Sequence, residues 1–141
     1  MEFFIYIYII MDAEQKKEFM NLLTDLFSVL KNKLNLKTVP QIILKKDSDN
    51  ANNILGKTAY YNPKDKNITL FILNRHPKDI LRSFAHECVH LYQHENNMYG
   101  IGEEREGDSH YAQNDTELRK AEKQAYLLGN MIFRDWEDSK K

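Results

Sequence analysis

Three stretches of the chain place apolar residues at steps of three and four, the spacing of one face of a helix. In the first, Phe19, Leu22, Leu23, Leu26, Leu30 and Leu34 follow Asp12, a capping residue with Gln15 three positions on. A helix is predicted from about Asp12 to Leu34. In the second, Leu81, Phe84, Cys88 and Leu91 form the stripe, and Pro77 and Asp79 open the helix, which continues to about Asn96. In the third, Leu118, Ala121, Ala125, Leu128, Ile132 and Trp136 form the stripe, with Phe133 at its edge. This last helix is predicted to open near Asn114 or Asp115, with Glu117 placed to complete a capping box.

Between the first two helices the period changes. Thr38 to Leu44 reads as a strand in which Pro40 implies an edge. Lys45 to Asn53 is polar and reads as a loop. Lys57 to Tyr61 and Ile68 to Leu73 read as two further strands, joined by a turn rich in Asn, Pro and Asp from Asn62 to Asn67. After the second helix, Asn97 to Asp115 is polar and contains glycine, a loop long enough to border a site. The expected architecture is α+β. An N-terminal helix and a small, mainly antiparallel sheet come first, then two helices, in one domain over 11–141. The first ten residues, Met1 to Ile10, are almost wholly apolar. They suit either an extra strand or an apolar leader, and Met11 is an alternative true start.

Composition narrows the function. With a net charge of −1 and a pI near 6.5, nothing points to nucleic-acid binding. The apolar start is too short to span a bilayer and lacks the marks of a secretory signal, so no membrane is expected. The single cysteine, Cys88, excludes an internal disulfide and suits a reducing, cytoplasmic setting; its place on the apolar stripe makes it a packing residue.

The chemistry lies in His86-Glu87-Cys88-Val89-His90, an H-E-x-x-H. On a helix its two histidines are one turn apart and point the same way, so both can hold one metal ion. Glu87 lies beside them, where it can take a proton from water activated by the ion. At 100° per residue the histidines fall roughly opposite the Leu81–Leu91 stripe, giving an apolar back and a polar front. His94 follows one turn later, as a solvated residue or part of a cleft. A catalytic zinc needs a third protein ligand and an open position. His110, Glu117 and Glu122 are the candidates. Glu122 falls inside the last apolar stripe, roughly 40° from Leu118. A carboxylate facing a core is costly unless paired or ligating, so Glu122 is preferred. Glu117 is more simply a cap, and a loop histidine such as His110 can reach a metal from many positions. His110, Tyr111 and Tyr126 are candidates for an oxyanion donor or for supporting the ligands, and Asp108 or Asp115 for orienting the histidines.

This pattern, H-E-x-x-H followed by Glu on a downstream helix, resembles the gluzincin class of zinc metallopeptidases, and the short chain resembles its smallest, minigluzincin-like members. His110 to Asp115 followed by Leu118 to Asn130 is similar to HExxH proteins of tailed phages. The resemblance runs from about Phe71 to Glu137. It implies a zincin-like fold, Zn2+ held by His86, His90 and Glu122, Glu87 as general base, and hydrolysis of a peptide or protein substrate. It also implies a setting in a phage-infected bacterial cell. One position departs from the pattern: Gln124 stands where an acidic residue is expected. A monomer is expected. Two other readings are a zinc-stabilised structural or interaction protein without turnover, and an α+β binding domain without metal.

Overall fold

The computed structural model describes residues 13–53, 56–102 and 111–141, with side chains from 116 onward in the last stretch. Helix α1 (Ala13–Leu34) buries Phe19, Leu23, Leu26, Leu30 and Leu34, the stripe read from its periodicity. It stops at Asn35, which takes a left-handed φ of 52°. The amide of Leu36 then donates to the Lys31 carbonyl and that of Asn35 to the Asn32 carbonyl, a Schellman ending with Asn in place of Gly.

The chain next enters β1 (Gln41–Lys45), a short helix α2 (Ser48–Asn52), β2 (Ala59–Asn62) and β3 (Asn67–Phe71). The sheet has the order β1-β3-β2, with β3 parallel to β1 and antiparallel to β2. It is therefore mixed, not mainly antiparallel as the turn signals suggested. The β2–β3 hairpin was legible because Asn62 Oδ1 accepts from the Lys64 and Asp65 amides and so holds the turn. The parallel ladder was not, because pairing between strands so far apart in sequence leaves no local mark. Pro40 stands just before β1, which among the described residues is an edge strand, as expected. Helix α2 falls in the polar stretch read as loop. Asp47 caps it by accepting from the Asn50 amide, a local bond that needs no apolar pattern.

Helix α3 (Pro77–Glu95) runs through the middle of the domain, with Ile80, Phe84, Ala85, Cys88, Val89 and Leu91 fully buried. His76 caps its start through Nδ1, which accepts from the Lys78 amide, and Pro77 occupies the first turn, where its missing N–H costs nothing. It ends like α1: Asn97 has a φ of 54°, and the Met98 amide donates to the Gln93 carbonyl. Helix α4 (Tyr111–Asp138) runs antiparallel to α3, since Gly129 lies against His86 while Ala121 lies against Gln93. Its start is earlier than predicted, so Tyr111 and Asp115 are helical. Asp115 is not a cap, and Glu117 pairs with Lys120 one turn on. Ala121, Ala125, Ile132, Phe133 and Trp136 are buried as expected. Leu118 is not; it is half exposed. Trp136 Nε1 donates to Asp25 and Lys140 pairs with the same carboxylate, which ties α4 to α1. The alternatives for residues 1–10 lie outside the described residues.

Candidate metal centre

The site forms where α3 and α4 lie close together. Gly129 makes that approach possible. A Cβ there would stand 3.1 Å from the His86 Cα and 3.2 Å from its backbone nitrogen. With hydrogen alone at position 129, the two backbones meet beside the first histidine of the motif.

His86 and His90 project from adjacent turns of α3, their rings 5.1 Å apart between centroids and nearly perpendicular. Glu122 reaches them from α4. Its Oε2 lies 3.1 Å from His86 Nε2, and its Oε1 lies 2.8 Å from His90 Nε2. One ligand atom from each of the three residues falls within 4.8 Å of the others. Two ligands about 2.05 Å from a zinc ion at the tetrahedral angle are roughly 3.3 Å apart, so this donor set needs little rearrangement to fit one. Two imidazole nitrogens and a carboxylate oxygen are also the donor chemistry that suits such an ion.

Glu122 is thus the third member of the group, but not for the reason the periodicity gave. Its side chain is 62% exposed, and with half-exposed Leu118 it lines a cleft. The stripe of α4 turns away from the core at its N-terminal end, where the cleft opens.

Hydrogen bonds from His86 and His90 hold the Glu122 carboxyl far below its ordinary value. Burial alone would pull the His90 imidazole down. Its bonds to Glu122 and Gln93 and the charge of Glu87 outweigh that and raise it. Glu87 is 7% exposed, and burial raises its carboxyl; the two imidazoles and a backbone hydrogen bond from Tyr61 offset part of the effect. Cys88 faces the core, where burial pushes its thiol far up, in keeping with a packing role.

Two features escaped the sequence reading. Gln93 is fully buried and accepts from His90 Nδ1 at 2.8 Å, while its amide nitrogen donates to the Ala121 carbonyl and to Gln124 Oε1, each at 2.9 Å. The spacing of three from His90 was a signal, but an amide is an unlabelled residue type without its partners. Tyr61 on β2 places its hydroxyl 2.8 Å from His94 Nδ1. Burial and the nearby Glu95 charge push the Tyr61 hydroxyl up to about 12, so it stays protonated in that bond. His94 is therefore half-buried and bonded rather than solvated. Gly102, at a φ of 87°, packs on its ring where a Cβ would come within 2.5 Å.

His86, Glu87, His90 and Glu122 line one cleft of about 960 Å3. Its walls include Lys57 to Tyr61 along β2, Ile101 beyond α3, and Leu118 and Tyr126 on α4. Tyr126 is on this wall and 64% exposed. His110, Asp108 and the side chains of Tyr111 and Asp115 lie outside the described residues. Among the described residues no helix is long and apolar enough to cross a membrane. Set against models of known protein families, curated proteins and solved structures, the chain finds no match.

Proposed function

We propose that the protein is a small zinc-dependent peptidase of the gluzincin type. The observation that carries the reading is the convergence of His86, His90 and Glu122 ligand atoms within 4.8 Å of one another on the floor of an open cleft, with Glu87 beside them. A zinc ion held there supplies Lewis acidity, lowering the pKa of water and polarising a carbonyl.

The chain's own residues do the rest. Glu87 takes the proton from the attacking water and delivers it to the departing amine. Its burial keeps competing solvent away and favours the protonated form it needs for the second step. Among the described residues β2 pairs on one side only, with β3, and its other side borders the cleft. An extended peptide adds to that edge through main-chain hydrogen bonds, which lays its carbonyls across the three ligands. Tyr126, on the cleft wall and exposed, is the hydroxyl that can donate to the developing oxyanion.

The test is paired. Purified protein should carry about one zinc per chain and cleave an unstructured protein such as casein. Glu87→Gln should abolish cleavage and leave zinc content and fold intact. A second reading is favoured by one feature, that the ligands come from two different helices. A metal tying α3 to α4 stabilises the fold without turnover. Zinc-loaded wild type that leaves casein and other unfolded substrates intact, yet melts higher than the metal-free form, supports that reading instead.

A further inference from the structure

The orientation of the Gln93 amide can be decided from its neighbours. Ala121 offers a backbone carbonyl, which only accepts. The Gln93 end that meets it, 2.9 Å away, must be the NH2 group. Turning the amide over would set two oxygens against each other in a fully buried place. The other end, Oε1, therefore faces His90, and it too can only accept. The His90 Nδ1 at 2.8 Å must carry a hydrogen. In the neutral ring the free lone pair is then on Nε2, the atom aimed at Glu122 and at the centre of the three-ligand group. A peptide carbonyl on α4, which cannot rotate, sets the tautomer of a histidine on α3.

The same amide acts on a second ligand. Ala121 immediately precedes Glu122, so the bond to its carbonyl fixes the height of the α4 backbone against α3 at that point. Gln124 closes the arrangement by accepting the second amide hydrogen at 2.9 Å. All that position 124 must provide is an acceptor, which an amide and a carboxylate supply equally.

We infer that Gln93 is the positioning residue of the metal site: one buried amide fixes His90 as its Nδ1–H tautomer and holds Glu122 in register with it. The inference rests on the reading of His86, His90 and Glu122 as a zinc site. It assigns to an amide the role that a carboxylate was expected to fill.

The experiment uses the full chain. Zinc affinity is measured by competition with a chromophoric chelator, and the imidazole tautomers of the zinc-loaded protein are read from long-range 1H–15N spectra. Wild type should show His90 protonated on Nδ1 and coordinated through Nε2. Gln93→Met fills the space without the bonds and should bind zinc roughly 10- to 100-fold more weakly, the usual effect of removing such a partner. Gln124→Glu, which keeps the acceptor, should lose less than about threefold on the same scale. A wild-type spectrum with His90 coordinated through Nδ1, or a folded Gln93→Met that binds zinc within twofold of wild type, overturns the inference and leaves the zinc site standing. Wild type that binds no zinc overturns the zinc reading and the inference together. Should Gln93→Met fail to fold, the wild-type tautomer still decides.

Discussion

Gly129→Ala offers a sharp test of the close helix approach, because two physical effects predict opposite signs. In the interior of an isolated helix, Ala is favoured over Gly by about 1 kcal/mol. In this packing the new Cβ meets the His86 Cα at 3.1 Å, its nitrogen at 3.2 Å and the Ala85 carbonyl carbon at 3.4 Å. Ordinary carbon contacts are nearer 3.5–4.0 Å. All three neighbours are helix backbone, so no side chain can swing aside and the helices must part by a few tenths of an ångström. Overpacking of this kind costs about 1–3 kcal/mol. The expected net effect is a loss of about 0–2 kcal/mol after the helix gain. For a chain of this size that is a fall in melting temperature of roughly 0–8 °C. Glu122 is two turns from Gly129 on the same face of α4, so the separation also moves its carboxylate from the histidines. Zinc affinity should fall with stability. Thermal unfolding of the metal-free protein and chelator competition measure the two. A variant that melts several degrees higher with unchanged zinc affinity refutes the packing argument.

Glu122→Gln keeps the shape and removes the charge, and should weaken zinc by more than the roughly 10- to 100-fold that a supporting partner is worth; unchanged binding points to another third ligand. In the metal-free protein the Glu122–His90 pair contributes in a definite pH window. The Glu122 carboxyl lies below its ordinary 4.5, so its contribution is present above that value and lost as pH falls through its folded pKa. His90 lies above its ordinary 6.5, so its contribution is complete below that value and lost as pH rises through its folded pKa. Metal-free wild type should therefore gain most over Glu122→Gln between pH 4.5 and 6.5, as melts across pH will reveal. Cys88, at 0% exposure with a raised thiol, should react with a disulfide reagent only at the rate of unfolding; fast labelling of native protein contradicts its place in the core.

The helices were legible because burial on one face writes itself into the sequence. Phe19 through Leu34 on α1 and Leu81 through Leu91 on α3 show the period directly, and both sets are buried apart from the half-buried Leu22. The shared direction of the two histidines was legible because residues four apart on a helix lie on one face. What the sequence hid depends on partners distant along the chain. Whether Leu118 and Glu122 face core or cleft depends on where the sheet and α3 end. The parallel pairing of β1 with β3 rests on a register with no local signature. Gln93 takes its role from the Ala121 carbonyl and Gln124 on another helix as well as from nearby His90, and Tyr61 from His94 and Glu87 on α3. Glu122 was found for a reason the structure reverses: it is an exposed carboxylate at the cleft, drawn to two imidazoles, and not a buried one in want of a partner.

The zinc ion proposed between α3 and α4, with its open coordination position, can be observed directly. Zinc-edge X-ray absorption on the full chain tests for it, followed by crystallography with anomalous scattering. Expected is one zinc per chain with two histidine nitrogens and one carboxylate oxygen at about 2.0–2.2 Å, plus one oxygen from solvent. A zinc-free protein, or an ion whose ligands do not include both His86 and His90, contradicts the proposal.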